Sequence, residues 1–156
     1  MTDREVPLFE ELDDQQLERV RAIASEKAYA KGEILLKQGE KADTVFLILD
    51  GAVRVTAIMA EEDELVGRDE EVLVKLKAGE CVGELSFVTG AVPSLSVIAE
   101  EGARVMALPH DKLRELLDSD GPLCRKILFA MMRALAGRLR DTDRELVLSR
   151  YFIRGR

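Results

Sequence analysis

The sequence predicts a mainly β fold with flanking helices: an antiparallel β-roll or jelly-roll barrel with N-terminal helices and a long C-terminal helix. Three observations predict it. Apolar residues recur at helical spacing at both ends, short β-type runs lie between them, and glycines separate those runs. With 156 residues, 47% hydrophobic and 34% charged, the chain is expected to form a single domain over 1–156.

The segment 7–27 is predicted to form the N-terminal helices. Pro7 suits the first turn of a helix, and apolar residues then recur at helical spacing as far as Ala24. Either Asp13 or Asp14 is expected to cap a second short helix inside this segment.

The segment 29–108 is predicted to form the β-roll. Its β-type runs are Glu33–Lys37, Thr44–Leu49, Ala52–Met59, Val72–Leu76, Leu95–Ala99 and Ala103–Leu108. Asp50-Gly51 separates the second run from the third and is typical of a two-residue hairpin turn. Glu61–Glu71 holds seven acidic residues and one arginine. Its self-repelling charge predicts a solvated hairpin loop, with a metal site as the alternative.

The segment 110–150 is predicted to form the C-terminal helices. A first helix is expected from Pro109 through Leu117, before a break at Ser119–Pro122, and a long helix from Pro122 to about Ser149. Apolar residues on the long helix follow alternating steps of four and three, with one polar step. This seam comprises Leu128, Met132, Leu135, Leu139, Thr142 and Leu146.

A neighbouring stripe on the same helix is suited to lie on the barrel. It comprises Leu123, Ile127, Ala130 and Ala134. Two interpretations of the helix therefore stay open. Either the seam joins two copies in a homodimer, or one wide apolar face packs within the chain.

Composition excludes several classes of function. A formal net charge of −7 argues against nucleic-acid binding, which needs a concentrated basic surface. No apolar run approaches the roughly 18 residues that a transmembrane helix needs, and the polar N-terminus does not resemble a signal peptide. Two cysteines favour a reducing compartment. We therefore expect a cytoplasmic protein without nucleic-acid or membrane partners.

Catalytic and metal-binding motifs are missing from the sequence. It contains no P-loop, no nucleophile motif and no metal-ligand spacing. His110 is the only histidine, and Cys81 and Cys124 are expected to be small apolar side chains in the interior. The sequence predicts neither an enzyme nor a metal protein.

The stretch Ala78–Gly90 is the candidate ligand-binding segment. Glycines stand where the backbone must turn or approach another group closely, and a short helical turn is expected after Gly83. Free N–H groups at such a turn favour an anionic group, and the adjacent Glu84 can accept hydrogen bonds from a sugar hydroxyl.

Motifs on either side of this stretch extend the pattern over nearly the whole chain. In order they are Pro7-Leu8-Phe9, Lys31-Gly32-Glu33-Ile34, Gln38-Gly39-Glu40 with Asp43, Phe46–Gly51, Ala78-Gly79-Glu80 and Gly83-Glu84-Leu85-Ser86. This pattern resembles the cyclic-nucleotide-binding domain family, which includes the catabolite activator protein and the regulatory subunit of protein kinase A. The resemblance implies a β-roll flanked by helices, with Gly83–Ser86 as the phosphate-binding cassette.

The resemblance also implies roles for single residues. Gly83 and the residues after it would meet the cyclic phosphate, and Glu84 the ribose 2′-hydroxyl. The family's phosphate-binding arginine falls at Pro93 in an ungapped count, or at Ser94 with the longer spacing of some members. The ligand-binding residues so implied are Gly83, Glu84, Leu85, Ser86, Pro93, Ser94, Leu95 and Ser96.

The cation is missing from this part of the chain altogether, because no Lys or Arg occurs between Lys77 and Arg104. One hypothesis is a regulatory module with a degenerate cassette that acts through contacts with an unidentified protein partner. The alternative is a cyclic-nucleotide receptor in which a cation from elsewhere compensates, either from a partner subunit or from the long helix. The candidates on that helix are Arg133, Arg138 and Arg140. A neutral or differently shaped ligand is a further possibility.

The length of the C-terminal tail indicates whether a DNA-binding domain follows the long helix. Transcription factors of this family carry a helix-turn-helix domain after the long helix. Here Tyr151–Arg156 is too short for one, so a stand-alone domain is expected.

Overall fold

A computed structural model of the chain describes residues 2–58 and 70–154. Two 3₁₀ turns, Asp3–Glu5 and Pro7–Phe9, come first. The helices are α1 (Asp14–Ile23), α2 (Glu84–Thr89), α3 (His110–Ser119) and α4 (Gly121–Arg154). The strands are β1 (Ser25–Tyr29), β2 (Ile34–Leu36), β3 (Thr44–Asp50), β4 (Ala52–Ile58), β5 (Glu70–Lys77), β6 (Cys81–Val82), β7 (Ser96–Ala99) and β8 (Ala103–Pro109).

The strands form two four-stranded sheets. One has the order β1-β8-β3-β6 and the other β2-β7-β4-β5, and each pairing between described strands is antiparallel. The predicted fold, a mainly β roll with helices before and after it, is confirmed.

The first sheet is covered on both faces. Val45 and Leu47 of β3 belong to an apolar cluster shared with the helices, whereas Phe46 and Ile48 belong to a second cluster between the two sheets. Successive residues of a strand point to opposite faces, so a strand covered on both sides needs apolar residues at every position. This is why β3 is a continuous apolar run.

The N-terminal helix ends earlier than predicted. Asp13 caps α1, accepting a hydrogen bond from the backbone N–H of Gln16 at 2.8 Å. The expectation that helix continues to residue 27 is wrong, because Ser25–Tyr29 forms β1 and pairs with β8. β1 is an exposed edge strand, so its sequence carries no alternation that distinguishes it from a helix.

The predicted hairpin at Asp50-Gly51 is also wrong. β3 lies in the first sheet and β4 in the second, so the chain turns between sheets rather than between paired strands. Gly51 has a φ of +77°, and a Cβ there would lie 2.0 Å from the carbonyl oxygen of Gly102. The glycine is required by this close approach, which the dipeptide pattern alone cannot distinguish from a hairpin turn.

The other predicted runs agree with observed strands to within about two residues at each end, as boundaries usually do. β5 begins at Glu70, so the last two residues of the predicted acidic loop are strand. The rest of that loop, with its alternative as a metal site, lies outside the described residues.

The two C-terminal helices follow the prediction, with α4 extending to Arg154. Leu123, Ile127 and Ala130 are buried in the cluster that joins the first sheet to the helices, so most of the predicted stripe packs on the body. This packing brings the middle of α4 beside β6 and α2, where the cassette lies.

Candidate functional site

The cassette is built on a tight turn between β6 and α2. Gly83 has a φ of +86°, and a Cβ there would lie 2.5 Å from the carbonyl oxygen of Thr44. Only glycine allows this approach to β3 without displacing the backbone. The turn places Glu84 and Ser86 in the first turn of α2, as the sequence predicted for this helix.

A cavity of about 360 Å³ lies beside the turn. Seven of the eight predicted ligand-binding residues line it: Gly83, Glu84, Leu85, Ser86, Pro93, Ser94 and Leu95. Ser96 does not. It is buried at the start of β7, and its hydroxyl accepts a hydrogen bond from the backbone N–H of Gln38 at 3.0 Å. The fold thus brings the two predicted stretches, the cassette and the segment before β7, to one pocket.

Most of the remaining lining was not singled out from the sequence. It comprises Leu36, Val55, Val82, Thr89, Ala91, Val92, Val97 and Arg138. Leu36, Val55 and Val97 come from three strands of the second sheet. Their apolar character is equally typical of any core strand, so the sequence holds no signal that separates cavity wall from core.

Glu84 is the buried charge of the site. It is 2% exposed, and its Oε1 lies 3.0 Å from Nη1 of Arg138. Burial raises the pKa of Glu84, and the guanidinium of Arg138 opposes that rise. The carboxylate therefore depends on Arg138 for its charge balance.

Arg138 joins α4 to the cassette by a second contact. Its Nη2 donates a hydrogen bond of 2.7 Å to the carbonyl oxygen of Cys81, 57 positions away in sequence. Of the three arginines expected on this helix as possible sources of a cation, Arg138 reaches the cavity. Arg133 instead pairs with Glu11 at 3.0 Å, and Arg140 is exposed.

No cation occupies the region where the resemblance places the phosphate-binding arginine. Pro93 and Ser94 both line the cavity, and the stretch between Lys77 and Arg104, all of it described, has no Lys or Arg. Among the described lining residues Arg138 is the one cation, and Glu84 is the one anion.

Cysteine and histidine are common catalytic residues, but Cys81 and His110 pack against other residues of this domain. Cys81 is buried, and burial raises the pKa of its thiol to about 12, so it is not a thiolate at neutral pH. The ring of His110 packs edge-on against Phe87 with ring centres 5.3 Å apart, and its own burial lowers its pKa. Its place is structural, since it packs against Phe87 of α2.

The seam on α4 divides between the body and solvent. Leu128 packs against the apolar cluster that the first sheet shares with the helices, whereas Met132, Leu139 and Leu146 are each about half exposed or more.

Among the described residues no helix is long and apolar enough to cross a membrane.

The family model for the cyclic nucleotide-binding domain matches residues 26–120, from β1 to the start of α4. The chain belongs to this family. The match covers the whole roll, the cassette and the segment that lacks the arginine, and the related segments are regulatory domains.

Several proteins similar to this chain are longer than it. An uncharacterised NTE family protein of Mycobacterium tuberculosis is 27% identical over 89% of the chain, which spans about a fifth (21%) of that protein. The catabolite activator protein of Thermus thermophilus is 27% identical with a TM-score of 0.71, covering 91% of this chain and 62% of that one. A cyclic nucleotide-binding domain from Methylobacillus flagellatus has a TM-score of 0.79 at 23% identity, covering 88% and 74%.

Proposed function

We propose that this chain is a regulatory domain whose cassette has lost the family's affinity for cyclic nucleotides and which acts through protein contacts. One observation carries the proposal. The cavity has no cation at position 93 or 94, and Arg138, the one arginine among the described residues that line it, is already paired with Glu84. On this proposal the domain has no catalytic activity of its own.

The charge balance of the cavity argues against an anionic ligand. Glu84 and Arg138 neutralise each other, so a cyclic phosphate would add an unpaired negative charge. Leaving a buried charge without its counter-ion costs about 3–5 kcal/mol, which corresponds to a loss of affinity of roughly a hundredfold to several thousandfold.

The pairing of Glu84 argues against recognition of the sugar as well. Family resemblance gives this residue the ribose 2′-hydroxyl, but Glu84 is almost fully buried and its Oε1 is already paired with Arg138. A nucleotide would have to compete with this ion pair, whose carboxylate is already desolvated.

Calorimetric titration with cyclic AMP and cyclic GMP tests this proposal directly. We expect the wild-type chain to bind each nucleotide with a Kd of about 1 mM or weaker. Ser94→Arg and Pro93→Arg each place a cation at one of the two candidate positions, and one of them is expected to tighten binding at least about tenfold. Ser94→Gln is the matched control, since it adds a long polar side chain without charge. Low-micromolar binding by the wild type would refute the proposal.

A receptor in which Arg138 compensates is the second candidate function. The observation in its favour is that Arg138 lines the cavity and keeps 26% of its side chain exposed. In that case nucleotide binding would transfer the guanidinium from Glu84 to the phosphate and loosen the contact of α4 with Cys81.

The same titration separates the two functions when it is repeated on Arg138→Gln. A compensating arginine predicts tight wild-type binding that this variant abolishes. A degenerate cassette predicts weak binding by both proteins. Arg133→Gln serves as the control, because it removes an arginine of the same helix that does not line the cavity.

The protein contacts are proposed to include a homodimer through the α4 seam. Met132, Leu139 and Leu146 present exposed apolar side chains at the spacing of a coiled coil, and Ile153 continues the pattern by one heptad. The flanking residues favour a parallel pair, because Glu145 of one copy would face Arg150 of the other, twice by symmetry. We further propose a cytoplasmic location and an unidentified protein partner beyond the second copy.

A further inference from the structure

The residues that line the cassette cavity are largely apolar, and some of them are exposed to solvent. Leu36, Val55 and Val97 form the side given by the second sheet, and Leu85 and Val92 stand at the mouth, 57% and 55% exposed. Apolar side chains that line a concave surface and meet water there gain from being covered by a ligand. The cavity of about 360 Å³ is at the small end of the range for small-molecule sites.

The charges inside the cavity sum to zero. Glu84 and Arg138 are the charged residues among the described lining, and they are paired at 3.0 Å. A ligand with a net charge of either sign would bring a third charge without a partner. An uncharged ligand would leave the ion pair as it is.

Two hydroxyl groups at the cavity are available for hydrogen bonding. Ser86 and Ser94 both line it, and the hydroxyl of neither forms a hydrogen bond with any other described residue. The hydroxyl of Thr89, by contrast, is committed, since it donates to the carbonyl oxygen of Leu85 at 2.7 Å and accepts from the N–H of Ala91 at 3.2 Å. The cavity thus offers apolar contact together with two free hydroxyl groups.

We propose that this cavity binds an uncharged, largely apolar small molecule bearing one or two hydroxyl or amide groups. The inference rests on the proposed loss of cyclic-nucleotide affinity and names the class of ligand that replaces the nucleotide. The ligand's apolar part would cover Leu85 and Val92, and its polar groups would meet Ser86 or Ser94.

A series of probes that share one ring system and differ in charge tests the proposal. Naphthol, naphthoate and naphthylmethylammonium share one ring system and are neutral, anionic and cationic at neutral pH. We expect naphthol to bind the full chain at least about tenfold more tightly than either ion, measured by fluorescence titration and by the shift in Tm. Equal or tighter binding of an ion, or no binding of any probe, would overturn the inference.

A substitution at the mouth provides an independent measure of the same charge rule. Val92→Arg adds a cation beside the cavity at an exposed position, so folding is not at risk. We expect it to raise the affinity for naphthoate relative to naphthol by at least about threefold. Val88→Arg is the control, because Val88 is an exposed valine of α2 that does not line the cavity. The same ratio of affinities in both variants would count against a site in this cavity.

Cyclic AMP is titrated beside the naphthyl probes, which keeps the two proposals distinguishable. Tight binding of cyclic AMP would overturn the proposed function. Weak binding of cyclic AMP without preference for naphthol would leave the degenerate cassette standing and reject the ligand class.

Discussion

The two halves of α4 have the same helical periodicity but different surroundings. In the root of the helix, residues 121–138, Leu123, Ile127 and Met131 are buried against the body and Arg138 holds the cassette. In the tip, residues 139–154, Leu139 and Leu146 are exposed. A heptad or a stripe in sequence therefore shows only that a face is apolar, and the packing of the rest of the chain decides whether that face stabilises the fold or is left for a partner.

The largest difference between the halves is expected in stability. Ile127→Ala removes a side chain that is 1% exposed and should lower the free energy of unfolding by about 2–5 kcal/mol. Leu139→Ala, on the same helix but 63% exposed, should change the monomer's free energy by less than about 0.5 kcal/mol. Urea unfolding of the two variants at low protein concentration measures both. Similar losses would contradict the division of the helix at Arg138.

The ion pair between Arg138, in the root, and Glu84, in the cassette, should contribute somewhat less to the free energy of unfolding. Arg138→Gln leaves the buried carboxylate of Glu84 without its partner, and we expect a loss of about 3 kcal/mol. Arg133→Gln breaks an exposed pair with Glu11 and should cost about 0–1 kcal/mol. Equal values for the two variants in urea unfolding would show that the Glu84 pair does not anchor the helix.

The pH dependence of stability tests the role of Arg138 further. Burial raises the pKa of Glu84, and a group whose folded pKa is raised favours folding at low pH and loses that contribution as the pH rises through the folded pKa. Removing Arg138 raises the pKa further. The stability gap between wild type and Arg138→Gln should therefore narrow as the pH falls from about 7 to about 5.

The control for that experiment is the same pair of proteins in a Glu84→Gln background. Without the carboxyl group, the gap caused by Arg138→Gln should be smaller and should no longer change with pH. A gap that still narrows in this background would assign the pH dependence to another group.

The smallest effect on the folded monomer is expected in the tip, where association changes instead. Leu139→Asp combined with Leu146→Asp places charge in the proposed seam and should reduce the mass measured by light scattering from that of a dimer to that of a monomer. Leu148→Asp is the matched control, an exposed leucine of the tip that lies off the seam and should leave the mass unchanged. A monomeric wild type would refute the seam.

Local sequence was sufficient for the elements whose pattern and partners lie close together along the chain. The turn at Gly83 with the short helix after it and the two C-terminal helices were predicted, and the cap of α1 was narrowed to Asp13 or Asp14, of which Asp13 is the cap. Each depends on backbone preferences or on apolar spacing within a few residues. Family resemblance implied eight ligand-binding residues, and seven of them line one cavity in the structure.

The errors lie where distant parts of the chain decide the local structure. β1 forms because β8 offers a free edge, although its residues are compatible with helix. Gly51 carries the chain from one sheet to the other because Gly102 approaches it closely, although its dipeptide is typical of a hairpin. In both cases the residue that makes the contact is about fifty or more positions away, beyond the reach of pattern arguments.

The sequence alone determined the absence of a cation from the cassette, since a stretch without Lys or Arg stays so in any fold. It also offered three arginines of the long helix, Arg133, Arg138 and Arg140, as examples of a compensating cation. The tertiary structure decided among them, because packing of Leu123 and Ile127 on the body fixes the rotation of α4 and turns Arg138 toward Glu84. Side chains three or four residues apart share a helical face, but only the docked helix shows what that face meets.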